Sequence, residues 1–226
     1  MLRVCFIEME GVLLENNSTP QKSEEFVKQL TFFCKEKEIK LILLSGIHEK
    51  AAVEKFNSSF LKKYFSDEDF FYVDENYINS KSELDKKLYL KKLHEDSSFE
   101  DSFSKQVFMT DLLSKNSFSP KEALLLCNDV WVDAYYTTRF SKVNFALFMD
   151  NLKNRNNPAD LISGLIYFTL NFSEVISILE SFPLVDTTAL EKLVFEEIKK
   201  SLIPPEAMSS IINKRISQLQ DKGETK

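Results

Sequence analysis

Glycine is scarce in this chain: only four occur among 226 residues, at positions 11, 46, 164 and 223. Each therefore marks an unusual local choice, and Gly11 and Gly46 follow apolar runs directly, where a backbone turns tightly or approaches a ligand. Cysteine is as sparse. Cys5, Cys34 and Cys127 lack the paired spacing of a thiolate metal site or a disulfide framework, and Cys5 and Cys127 lie within apolar runs. They read as reduced core residues of a protein in a cytoplasmic-type compartment. Positive charge is not in excess. A net charge of -6 gives no general attraction for phosphate backbones or anionic lipid, so nucleic acid is not an expected partner. No apolar run approaches membrane-spanning length, and the acids of MLRVCFIEME interrupt the stretch a signal peptide needs, so no membrane association is expected. The two histidines, His48 and His94, have no evident partners in the sequence and are assigned no role.

What is present is an ordinary globular composition, 43% hydrophobic and 28% charged, with 20 phenylalanines that forecast an aromatic-rich core. The run LRVCFI, residues 2–7, reads as a buried strand stopped by EMEG. Phe26, Leu30, Phe33 and Cys34 then recur at helical spacing over 23–37. IKLILLSG, 39–46, is a second strand leading into a helix over 48–64. A short strand is expected within 69–78, helical stretches over 81–113 broken near DSSFEDS, and further strands at ALLLC, 123–127, and VNFALFM, 143–149. Strand alternating with helix is the pattern of a parallel sheet with right-handed crossovers.

The predicted fold is thus α/β, a Rossmann-like parallel sheet flanked by helices. The expected domain plan is a core over 1–160, a mostly helical C-terminal segment over 161–222 that packs on the core or forms an interface, and a frayed tail over 223–226. Within that segment, 161–182 has strand-like and helix-like portions, and 186–222 reads as two helices split at Pro204-Pro205.

Ligands of open parallel sheets bind beyond the carboxyl ends of the strands. The residues predicted there are Glu8, Glu10, Ser45, Asp129 and Asp133. Four carboxylates at one edge repel one another unless a cation or a basic side chain intervenes, and an oxygen-rich set suits Mg²⁺. The plainer alternatives are exposed strand-end acids for Glu8 and Glu10, helix caps for Asp129, Asp133 and Ser45, and packing for Trp131.

The order of these residues resembles the haloacid dehalogenase superfamily of phosphatases and phosphotransferases. That family ends its first strand in Asp-x-Asp-Gly-Thr/Val and its second in Ser/Thr, then places a lysine before a strand ending in Gly-Asp-x-x-x-Asp. The counterparts are Glu8-Met9-Glu10-Gly11-Val12, Ser45, Lys105 or Lys115, and Asn128-Asp129-x-x-x-Asp133, over about residues 1–150. The resemblance implies Glu8 as nucleophile and Glu10 as general acid/base. It implies Ser45 with the Gly46 amide on a phosphoryl oxygen, and Mg²⁺ held by Glu8, the Met9 carbonyl, Asp129 and Asp133. The lysine is assigned to Lys105, which lies 24 residues before Asp129 and opens a helical segment, with Lys115 as the alternative. Spacing leaves room for at most a small cap, so the site is expected to be open.

This chain departs from the pattern at three places. Glutamate replaces both first-motif aspartates, and Asn128 replaces the glycine before the metal aspartate. One methylene moves a carboxylate by more than about 1 Å, a displacement that can cost roughly 100-fold in rate. Two readings follow: a binding or assembly module whose phosphoryl-transfer site is weak or inactive, engaging a protein partner or a second copy through its C-terminal helices; or a Mg²⁺-dependent phosphatase of a small phosphorylated substrate.

Overall fold

The computed structural model describes residues 1–14, 19–73, 75–95, 100–129, 133, 136–148, 166–169 and 172–182. The two helices expected over 186–222, the frayed tail and Trp131 lie outside them. The strands are β1 (Val4–Glu8), β2 (Lys40–His48), β3 (Phe70–Val73), β4 (Ala123–Cys127), β5 (Asn144–Phe148) and β6 (Ile166–Thr169). The helices are α1 (Pro20–Glu36), α2 (Glu49–Ser58), α3 (Glu75–Asn79), α4 (Glu83–Glu95), α5 (Glu100–Lys115), α6 (Tyr136–Arg139) and α7 (Phe172–Ser181).

The strands form one six-stranded sheet in the order β3-β2-β1-β4-β5-β6, and every neighbouring pair is parallel. The chain builds outward from β1 to β3, crosses back through α5, and then builds the other way from β4. β1 and β4 therefore flank the point where strand order reverses, and an open sheet parts there into a crevice beyond its strand ends. The α/β sheet read from the sequence is the one observed.

Both central strands are buried along their whole length. Successive side chains of β1 feed two separate cores, as a strand covered on both faces requires. Cys5 and Ile7 join the cluster under α1 and α2, with Phe26, Leu30 and Phe56. Val4 and Phe6 join the opposite cluster, with Met109 and Leu113 of α5 and Phe145 of β5. Glu8 continues the Val4–Phe6 alternation, which turns it toward the face that α5 covers.

α1 begins cleanly. The Thr19 hydroxyl accepts from the Lys22 amide at 3.4 Å and Pro20 occupies the first turn. On α5 the buried residues Lys105, Met109 and Leu113 fall four apart, one stripe of the helix, so the lysine heads an otherwise apolar face.

The sheet also continues past residue 160. β6 pairs with β5, with Phe145 opposite Ile166, and α7 buries Val175 and Leu179 in the cluster that holds Phe26. All the elements above belong to one compact unit, Met1–Leu184. No described helix is long and apolar enough to cross a membrane.

Candidate functional site at the β1–β4 edge

The first strand ends at Glu8, and the turn after it is tightly built. The Met9 amide donates to the Leu44 carbonyl at 2.7 Å, which ties the turn to β2. The Leu14 amide donates to the Met9 carbonyl and the Gly11 amide to the Leu14 carbonyl, both at 2.8 Å. Gly11 sits at φ +71°, in the left-handed region. A Cβ there would also lie 1.9 Å from Asn128 Nδ2, so Asn128, just after β4, is seated against the glycine after β1. Gly11→Ala is expected to cost about 1–2 kcal/mol from backbone conformation alone, with a further steric loss against Asn128. Adding Asn128→Gly should recover only the steric part. Thermal melts of the single and double variants check this, and a neutral Gly11→Ala would refute it.

Glu8, Lys105 and Asp133 meet in the crevice. The Lys105 ammonium donates to Glu8 Oε1 at 2.7 Å and also bonds Asp133 Oδ1. All three side chains are at most 6% exposed. One cation thus serves two buried carboxylates. Burial pushes Glu8 well above the usual carboxylate range and the nearby Asp133 charge pushes it further, against the opposing pull of Lys105. Burial alone would lower Lys105, but Asp133 and Glu8 together hold it above the usual lysine range, so it remains charged. Next to them the Cys127 thiol is raised, chiefly by burial and then by the Glu8 and Asp133 charges.

Glu10 takes a different direction. Its Oε1 accepts from the Ser45 hydroxyl at 2.9 Å and its Oε2 from the Gly46 amide at 3.2 Å. Ser45 was expected at the end of the second strand, but β2 runs on to His48 and Ser45 lies inside it. The reason is a shift of register against β3 between Leu44 and His48, which keeps the strand paired while re-aiming residues 45–47. The Ser45 oxygen meanwhile accepts from the Ile47 amide at 3.3 Å, leaving its hydrogen for Glu10.

The structure therefore brings Glu8, Lys105 and Asp133 into one cluster and Glu10, Ser45 and Gly46 into a second beside it. A Cβ on Gly46 would stand 3.6 Å from Lys105 Nζ. Lys115 is exposed, in the last turn of α5, away from both clusters. Asp129 is exposed just after β4, whereas Asp133 is buried, and the Asp133 amide donates to the Asp129 carbonyl at 3.3 Å. Sequence reasoning missed one buried link: Gln106 Nε2 donates to Thr137 Oγ1 at 2.9 Å, joining α5 to α6 next to Lys105. Its only advance signal is the place of Gln106 beside Lys105.

The Mg²⁺ implied by the resemblance would draw on Glu8, the Met9 carbonyl, Asp129 and Asp133. Among the described residues no three His, Cys, Asp or Glu side chains converge as ligands of a metal ion. Lys105 holds Glu8 and Asp133, while the Met9 carbonyl accepts from Leu14. In this arrangement the residues are not gathered as the near-octahedral oxygen set that Mg²⁺ requires.

No known protein-family profile matches the chain. No curated protein matches it either. Solved structures do. An uncharacterized protein from Listeria monocytogenes serotype 4b aligns at TM-score 0.50 and 13% identity, over 81% of this chain and 100% of that one. A Thermotoga maritima protein named for beta-phosphoglucomutase aligns at 0.48 and 13%, over 80% and 100%. A core domain named for phosphoglycolate phosphatase, from Streptococcus pneumoniae TIGR4, aligns at 0.44 and 8%, over 80% and 97%. At such identities the likeness speaks to fold alone. With the parallel strand order and the flanking helices, it supports an α/β, Rossmann-like fold for this chain.

Proposed function

We propose that this chain is a haloacid dehalogenase-like module whose phosphoryl-transfer site is catalytically weak or silent, and that it works by binding and assembly. The observation that carries this reading is the state of Glu8. A nucleophilic carboxylate has to bring a free oxygen to within about 3–3.5 Å of phosphorus, in line with the leaving group. The Glu8 carboxylate instead lies buried, with one oxygen on the Lys105 ammonium and Asp133 bonded to that same ammonium. An added methylene at both Glu8 and Glu10 moves the reacting groups away from positions that transfer chemistry holds within tight tolerance.

The partner in this reading is a protein or a second copy of the chain, reached through the C-terminal residues 186–222. The compartment is cytoplasmic, in keeping with three buried free cysteines. The test is hydrolysis of a generic aryl phosphate in the presence of Mg²⁺. Wild type is expected to show no turnover above Asp129→Ala, and the pair Glu8→Asp with Glu10→Asp is expected to gain it. Efficient wild-type turnover that Asp129→Ala abolishes would instead establish a Mg²⁺-dependent phosphatase using Glu8 and Glu10.

A further inference from the structure

Glu10 sits in the contacts that an anionic ligand would make. Its two oxygens are separately engaged, one by a hydroxyl and one by a backbone amide on adjacent residues of β2, 35 and 36 positions away in sequence. A carboxylate gripped by two converging donors is the usual form of anion recognition. The donors are not improvised. Ser45 is 1% exposed, and its oxygen is fixed by the Ile47 amide so that its hydrogen is aimed at Glu10. Gly46 is exposed, and its lack of a side chain leaves the amide approachable with the Lys105 ammonium close behind. The base of Glu10 is equally fixed, because the Met9–Leu14 turn anchors its backbone and pairs it with Leu14. An aspartate at this position would end one carbon–carbon bond sooner, roughly 1.5 Å, and would not span the same gap from the same backbone.

We propose that the Glu10 carboxylate is a built-in occupant of an oxyanion site formed by the Ser45 hydroxyl and the Gly46 amide, so that this edge takes a phosphate group only when Glu10 is out of it. The inference rests on reading the β1–β2 edge as derived from a phosphoryl-transfer site, and it adds what closes that site. Two forces keep phosphate out while Glu10 is in place: the donors are already satisfied, and a fixed negative charge lies within contact distance of any incoming anion. The same geometry makes the site reversible, since Glu10 is only half-buried and its contacts are side-chain contacts that a rotamer change releases.

The experiment is calorimetric titration of the full chain with inorganic phosphate in metal-free buffer. Wild type is expected to show no saturable binding in the low millimolar range. Glu10→Ala is expected to bind at least about tenfold more tightly, a change of about 1.4 kcal/mol, and Ser45→Ala added to Glu10→Ala should erase that gain. Glu10→Gln keeps the shape of the side chain and removes its charge, so it should gain affinity too, by less than Glu10→Ala. It serves as the reporting variant if Glu10→Ala does not melt cooperatively. The inference is overturned if the folded variants bind phosphate no more tightly than wild type, or if wild type already binds as tightly as Glu10→Ala. The readout is binding without turnover. Wild-type hydrolysis of an aryl phosphate would overturn the proposed function, whereas an absent affinity gain would overturn only the closure by Glu10.

Discussion

Lys105→Ala is expected to destabilise the protein by about 3–5 kcal/mol, the range found when one partner of a buried ion pair is removed and its counter-charge is left behind. The effect is large because, among the described residues, Lys105 is the only cation paired with both Glu8 and Asp133, and each of these is almost wholly shielded from water. Deleting it leaves two carboxylates close together in a low-dielectric crevice. One of them must take up a proton or admit solvent. Glu8 is the group that does so, since burial and the neighbouring Asp133 charge already push it upward. At this chain length the loss corresponds to a fall of roughly 6–20 °C in melting temperature. Glu8→Gln added to Lys105→Ala should restore part of the stability by removing one of the stranded charges. Thermal and urea melts of the single and double variants measure both effects. A loss below about 1 kcal/mol for Lys105→Ala would mean that the ammonium contributes nothing a proton on Glu8 could not, and the account of the cluster would have to be abandoned.

The reach of sequence reasoning is clearest at this cluster. Glu8 was legible as a strand-end acid, but the face it takes was not, since an unbroken apolar run such as LRVCFI shows no alternation between two faces. Lys105 was legible through its place ahead of a helical apolar stripe and its distance before Asp129. Asp129 and Asp133 were legible as a pair, but not their separate fates, one exposed and one buried. Four residues of spacing bring side chains to one face only in regular helix, and Asp133 falls between β4 and the short α6 rather than within a long helix. Ser45 was identified but misplaced relative to the end of β2, because a register shift depends on what β3 offers in pairing and leaves no local trace. The contact of Glu10 with Ser45 and Gly46 was not legible at all. It depends on a side-chain rotamer and on the spacing of two strands whose residues lie some 35 positions apart.

The edge of the sheet beyond β5 repeats the lesson. The apolar stretch over 161–182 showed strand-like and helix-like portions, yet no periodicity could say that the strand would join this sheet. That membership is decided by long-range pairing with β5 and by what α7 finds to pack against. α7 finds an aromatic column. Phe172 stacks on Phe26 of α1 with ring centroids 4.2 Å apart and planes 7° from parallel, and on Phe148 of β5 at 4.9 Å and 17°. α1 is thus clasped through one ring to two elements, β5 and α7, that lie more than a hundred residues further along the chain.

Phe26→Ala should therefore cost about 3–5 kcal/mol, the range for truncating a buried aromatic without full collapse of the cavity. Phe26 is 3% exposed and shares its cluster with Val27, Leu30, Val175 and Leu179, so little can move in to fill the space. The specific claim is that part of this loss belongs to the docking of α7. Phe172→Ala should be destabilising by itself, and the double variant should fall short of the sum of the two by about 0.5–1.5 kcal/mol, the coupling expected of a stacked aromatic pair. Phe33 provides the contrast. It lies on α1 and is buried in the same cluster but does not stack on Phe172, so Phe33→Ala and Phe172→Ala should come closer to adding. Urea unfolding of the single and double variants gives the cycle. If Phe26 and Phe172 add within error, the ring contact does not tie α7 to α1, and the edge of the sheet is held by β5–β6 pairing alone.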